Sequence, residues 1–297
     1  MKTRQIFVIA VMLLGLAIML PASAATCPEI EADTSRIVVS GGSLTEIIYD
    51  LGLEAQIVAV DRTSNYPEAA LALPQIGYVR ALSAEGVLSA EPTLLLGEDD
   101  TGPPEVLDQL RAAELPIAIV GENHSANGII DKVRCMGRIL DAEAEAEAFI
   151  KAQLIPASQS LESDAESGDR RRPRGAVLLG VRDGLLIAAG GDTSGNGLLE
   201  MMSADNVLAD VTGWKPVSIE SMLAANPEFL VIPQRGLDSA GGIDGLVSNA
   251  SLRLTEAAKN RQVYAMDGMA MLGFGPRTLS AAADLSQDIR ESATQDN

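Results

Sequence analysis

Short apolar runs alternate with amphipathic stretches along most of this chain. Residues 36–40 (Arg-Ile-Val-Val-Ser) read as a buried strand, and Gly41-Gly42-Ser43 then caps a helix over 44–51 that Gly52 ends. Residues 56–60, 93–96 and 116–120 read as three more strands, with helical patterns between them. A longer helical pattern follows, with Ile129, Ile130, Val133, Met136, Ile139 and Leu140 and then an Ala/Glu-rich run to Phe149 and Ile150. No turn residue interrupts its second half, so one connecting helix is expected over 128–156. From 157 to 175 the chain is polar and charged, with Arg170-Arg171-Arg172-Pro173-Arg174, and reads as a solvated loop. Strands resume at 176–180, 185–188, 229–232 and 262–266, and 278–289 reads as a closing helix. Strands separated by helices call for parallel sheets in an α/β fold.

A faint internal repeat supports two lobes. In both 82–96 and 217–231 a serine (Ser83, Ser218) caps a short helix, a glutamate (Glu85, Glu220) lies two residues in, and a proline (Pro92, Pro227) follows seven after that, before an apolar strand. The expected architecture is two Rossmann-like lobes, 25–127 and 176–297, joined by a single long helix. Ligands of open α/β sheets bind beyond the carboxyl ends of the strands, and here those ends face the cleft between the lobes.

The N-terminus bears on compartment. Lys2 and Arg4 precede an apolar run over 6–20 and then Pro21-Ala22-Ser23-Ala24-Ala25, the three parts of a secretory signal. The run falls short of the roughly 20 residues that span a bilayer. Residues 1–24 are therefore expected to be removed after Ala24, which leaves 273 residues (297 − 24) in the periplasm. Cys27 is a poor lipidation site, because Ala24-Ala25-Thr26 lacks the small last residue and the leading Leu. Loss of Lys2 and Arg4 takes the formal charge from −19 to −21, which disfavours nucleic acid and anionic membrane as partners. The two cysteines, Cys27 and Cys135, are candidates for a disulfide in an oxidising compartment, with two unpaired thiols as the alternative.

The chemistry concentrates at Tyr78, within Gly77-Tyr78-Val79-Arg80-Ala81-Leu82-Ser83-Ala84-Glu85-Gly86. A phenol with a pKa of about 10 is a weak ligand at neutral pH. A guanidinium two residues away favours the phenolate, a ferric ion favours it more, and phenolate is one of the few protein oxygens that hold haem iron. This segment, the stretch 236–246 and the stretch 266–277 resemble periplasmic haem-binding proteins of ABC importers, in the helix-linked (class III) group that also carries siderophores, cobalamin and metal ions. The resemblance spans both lobes. It implies Tyr78 as axial ligand of haem b carried as transported cargo and Arg80 as the group that holds the phenolate. Haem also carries two propionates, and Arg235, which follows the strand end Ile232-Pro233 where a cleft residue belongs, is the candidate cation for them. The resemblance further implies that Glu85 and Glu220 dock onto arginines of an inner-membrane permease, that an outer-membrane haem receptor acts upstream, and that the protein is a monomer and not an enzyme.

Other readings stand beside these. Arg80 can instead pair with a surface carboxylate, and its spacing from Tyr78 helps only if the segment is extended. Glu85 and Glu220 also suit the positive end of a helix. Tyr66, before Pro67, reads as an apolar pocket wall, and Arg277 as support for the Gly-Phe-Gly-Pro turn before it. His124, the one histidine, reads as exposed in a polar loop. The glycine-rich run 190–197 lacks a lysine and a nucleotide-binding frame. A ferric-siderophore or corrinoid receptor is the nearest alternative function. A secreted α/β hydrolase is further off, since no Gly-x-Ser-x-Gly elbow is present.

Overall fold

The computed structural model describes residues 27–166, 171–182 and 184–295; the signal segment and its cleavage point lie outside them. The first lobe runs β1 (Ile37–Ser40), α1 (Gly42–Asp50), β2 (Ile57–Val60), β3 (Gly77–Tyr78), β4 (Ala81–Leu82), α2 (Ala84–Leu88), β5 (Leu94–Glu98), α3 (Pro104–Ala112) and β6 (Ile117–Val120). Its main sheet has the order β2-β1-β5-β6 and is parallel throughout. Helices cover both faces, so β1 and β5 are buried along their whole length. Val39, Leu94 and Leu96 pack to one side, Val38 and Leu95 to the other. Truncating such a residue, for instance Leu96→Ala, costs about 2–5 kcal/mol.

The link between lobes differs from expectation. It is not one helix over 128–156 but α4 (Ala126–Ile139), a break, and then α5 (Glu143–Phe149) running through a π-helical turn (Ile150–Leu154) into α6 (Ile155–Glu166). Asp141 takes the left-handed conformation at the break (φ 53°), which a short polar side chain tolerates. Gly137 lets α5 fold back onto α4, because a Cβ there would stand 2.6 Å from that of Ala146. The π turn sits just before Pro156, whose missing N–H cannot continue an ordinary ladder. The helix also consumes residues 157–166 of the expected polar loop. Beyond it, Arg171 pairs with Glu228 and Arg172 with Asp205, so these two arginines are tied to the second lobe.

The second lobe runs β7 (Arg174–Arg182), β8 (Leu185–Ala189), α7 (Ser194–Met201), β9 (Asp205–Asn206), β10 (Trp214–Val217), α8 (Ile219–Ala225), β11 (Phe229–Pro233), α9 (Gln234–Ser239), α10 (Gly242–Val247), α11 (Glu256–Lys259), β12 (Val263–Met266), α12 (Gly268–Leu272) and α13 (Pro276–Gln295). The sheet order is β10-β8-β7-β11-β12, with β9 beside β7; β7, β11 and β12 are parallel, and β8 is antiparallel to both neighbours. One apolar core passes through both lobes, joining Val39 and Ile47 of the first to Val177, Phe229, Phe274 and Leu279 of the second by way of Met136, Ile150 and Leu154. A shared core of this kind leaves little freedom for hinge bending. No helix among the described residues is long and apolar enough to cross a membrane.

Candidate ligand site at the cleft

Tyr78 closes a hairpin, β3–β4, whose two-residue turn is Val79-Arg80. Gly77 supplies the positive φ (111°) that starts it. Arg80 Nη1 lies 3.4 Å from the phenol oxygen of Tyr78, and Nη2 is 2.7 Å from Asp100 Oδ2. The two residues meet across the turn, not along an extended strand, which corrects the geometry expected for this pair. Arg80 thus touches the phenol oxygen and pairs with a carboxylate at the same time.

Asp61, wholly buried at the end of β2, fixes the hairpin in place. Its Oδ2 accepts from Val79 N (3.1 Å) and Thr63 N (3.0 Å), and its Oδ1 accepts from Gly41 N (3.0 Å), Thr63 Oγ1 (2.8 Å) and Ser64 Oγ (3.2 Å). The adjacent Arg62 N donates to Gly77 O at 2.8 Å, so the backbone is anchored on both sides of Tyr78. A lone Asp after a strand gives no sequence signal for this role.

Tyr66 stands on the same loop, 43% exposed, with the Arg277 guanidinium 3.7 Å above its ring centre. Arg277 in turn gives its backbone N–H and Nε to Glu46 of α1, at 2.7 and 2.6 Å. It is therefore an interlobe tie as well as the start of α13, and its cation is already matched. Arg235, in the first turn of α9 at the carboxyl end of β11, is exposed and forms no ion pair among the described residues. At the lobe junction Met269 of α12 packs onto Gly42, where a Cβ would stand 2.6 Å from its methyl.

A buried polar cluster below the site left no mark in the sequence pattern. Lys132 of α4 is 1% exposed, and its Nζ donates to Glu122 Oε1 (2.9 Å), Ser43 Oγ (3.0 Å) and, across the lobes, Gly273 O (3.5 Å). Ser43 donates to Glu98. It is thus an interior residue of α1 with a buried partner; Gly41 is the N-cap, and no side chain caps the helix. Burial pushes the Glu98 carboxyl up to about 8, with Lys132 opposing. Burial pushes Glu122 up too, but hydrogen bonds from His124 and Lys132 and the Lys132 charge hold it down, to about 2. His124 is not an exposed loop residue. It is half-buried, its ring 4.7 Å from that of Phe274 in the second lobe, because the loop after β6 is trapped where the lobes meet.

The repeat helices match each other in detail. Ser83 Oγ accepts from Gly86 N (3.0 Å) at the start of α2, and Ser218 Oγ accepts from Ser221 N (3.1 Å) at the start of α8. Glu85 and Glu220 lie in the first turn of their helices, exposed, without an ion pair among the described residues. Leu88 and Ile219 beside them are each 39% exposed. Cys27 and Cys135 form a disulfide that ties the start of the described chain to α4. A separate cavity of about 550 Å³ between β12 and α13 is lined by Asp267, Asp284 and Asp288 with Arg277, and includes neither Tyr78 nor Arg235. Its carboxylates make it a poor place for an anionic ligand.

Residues 37–270 match the sequence model of the periplasmic binding protein family. Among solved structures, the periplasmic heme-binding protein RhuT from Roseiflexus sp. RS-1 superposes with a TM-score of 0.79 at 35% identity, covering 88% of this chain and all of that one. The periplasmic heme-binding protein HutB of Vibrio cholerae gives 0.76 at 30% identity, covering 86% and 99%. Among curated proteins, an uncharacterized ABC transporter substrate-binding lipoprotein of Bacillus subtilis is 23% identical over 88% of this chain and 81% of its own. The vitamin B12-binding protein of Yersinia pseudotuberculosis is 27% identical over 75% of each.

Proposed function

The chain belongs to the periplasmic binding protein family, and we propose that it captures haem between its two lobes and delivers it to an inner-membrane ABC importer. The observation that carries this reading is the Tyr78–Arg80 pair: a phenol on a rigid hairpin with a guanidinium 3.4 Å from its oxygen. Ferric haem has one net positive charge at its core. A phenolate on the iron neutralises it, and a hydrogen bond from Arg80 supports that ligation. Arg235, exposed at the carboxyl end of β11 and without an ion pair among the described residues, answers a propionate. Tyr66, held flat by Arg277, offers a ring wall to the porphyrin. The likeness to heme-binding proteins across both lobes supports the same ligand.

On this reading the protein is a carrier and not an enzyme, working in the periplasm after removal of residues 1–24, with haem b as cargo. Glu85 and Glu220 are the permease contacts, one on each lobe, where two carboxylates a fixed distance apart report a closed cleft. The B12-binding relative favours a second reading, a corrinoid carrier. A corrinoid has no use for a tyrosinate beside an arginine, so Tyr78 and Arg80 weigh against it. Equilibrium titrations with hemin, cyanocobalamin and a ferric hydroxamate separate the cases. Hemin should bind tighter than either by at least about tenfold, 1.4 kcal/mol; tighter binding of cyanocobalamin would overturn the haem reading.

A further inference from the structure

Asp100 is held at a cost that its place in the fold does not repay. Its Oδ1 is buried with no hydrogen-bond partner, so the carboxylate has given up water on one side for nothing structural. Burial pushes its carboxyl up, Arg80 opposes, and the like charges of Glu122 and Asp61 push it further up. The loop that carries it is nonetheless rigid with respect to Tyr78. Gly102 N donates to Val79 O and Leu82 N donates to Gly102 O, both at 2.9 Å, and Thr101 Oγ1 lies 3.2 Å from Ser40 O.

Arg80 is the group that gains. Its side chain is 64% exposed, and a free arginine there would sample many rotamers. The 2.7 Å contact to Asp100 fixes one end of the guanidinium and leaves Nη1 over the phenol oxygen. We propose that Asp100 is a positioning residue for ligand capture: it aims Arg80 at the Tyr78 oxygen and so sets how well the phenolate is held when haem arrives. The proposal rests on Tyr78 being the haem ligand and adds a residue that never touches the iron.

The test is a double-mutant cycle read by hemin affinity and by the tyrosinate-to-iron charge-transfer band. Arg80→Ala and Asp100→Ala should each weaken hemin binding by about tenfold and shift the band in the same direction. The double variant should be no worse than Arg80→Ala alone, because the two act through one contact. Asp100→Asn, which keeps an acceptor of the same shape, should recover most of the affinity and the band. If Asp100→Ala does not fold, Asp100→Ser takes its place in the cycle, since its hydroxyl is too short to reach Arg80. Losses that multiply in the double variant, or an Asp100→Ala or Asp100→Ser band identical to the wild type, overturn the proposal. A Tyr78→Phe spectrum identical to the wild type instead overturns the ligand assignment beneath it, so the two failures are distinct.

Discussion

Arg277 gives both its backbone N–H and its guanidinium to Glu46, 231 residues earlier and in the other lobe. Glu46 is nearly buried, with only 5% of its side chain exposed, so this pair is shielded from solvent screening better than a surface ion pair. Removing one partner strands the other. Glu46→Ala should therefore lower the unfolding free energy by about 3 kcal/mol, and Glu46→Ala with Arg277→Ala by less than the sum of the single changes. Urea denaturation of the four proteins checks this; a loss under about 1 kcal/mol for Glu46→Ala would place the pair with ordinary surface bridges.

The buried carboxyl of Glu98 makes stability depend on pH. Its folded pKa is raised from 4.5 to about 8. The folded state thus keeps a proton that the unfolded chain releases near 4.5, and this contribution is full below that pH and lost as pH rises through about 8. Glu122 is shifted the other way, and its contribution is lost only as pH falls from 4.5 towards 2, outside that window. The urea midpoint of the wild type should fall between pH 5 and pH 8, and Glu98→Gln should reduce that fall, the rest belonging to Asp50, whose carboxyl burial raises from 3.8 to about 7 so that its contribution is lost in the same direction. An unchanged slope in Glu98→Gln would mean that another group titrates.

The Cys27–Cys135 disulfide closes a loop of 108 residues. Disulfides typically give roughly 2–4 kcal/mol of stabilisation, and the loop-entropy account puts a loop of this length at about 4.7 kcal/mol. The paired variant Cys27→Ser with Cys135→Ser should lower the urea midpoint accordingly, while hemin affinity stays within about threefold, because the bridge joins the start of the described chain to α4 and neither cysteine is a proposed haem contact. A midpoint equal to that of the wild type under oxidising conditions would show that the bridge adds nothing.

Much of the first lobe was legible because β1, β2, β5 and β6 are short, largely apolar runs of the kind that a doubly covered parallel sheet buries. The contact of Arg80 with the Tyr78 oxygen was legible because Gly-Tyr-x-Arg sets a guanidinium two residues from a phenol. The break at Asp141 was not, since Leu140-Asp141-Ala142 contains neither Gly nor Pro; the deciding residue is Gly137, whose value appears only once Ala146 is packed against it. Lys132 was hidden for a related reason. A lysine between Ile130 and Val133 looks like the wet side of a helix, and only the fold reveals Glu122 and Ser43 waiting for it. Asp61 ties the hairpin to the start of α1 through the backbone N–H groups of Val79 and Gly41, distant segments that no local pattern encodes.

Transport should separate from binding. Glu85→Arg with Glu220→Arg alters two exposed residues on separate lobes and should abolish uptake through the reconstituted cognate permease while leaving hemin affinity within about threefold. Each single change should give a partial loss, because one anchor remains. Full uptake by the double variant would reduce both glutamates to partners of their helix dipoles.

The central claim is that Tyr78 holds haem iron through its phenolate, and the most direct measurement is a hemin titration followed by absorption spectroscopy of the wild type, Tyr78→Phe and His124→Ala. The wild type and His124→Ala should both give a high-spin ferric spectrum with a tyrosinate charge-transfer band. Tyr78→Phe should lose the band and bind at least about a hundredfold more weakly, 2.7 kcal/mol. A band that survives in Tyr78→Phe, or disappears in His124→Ala, would contradict the account.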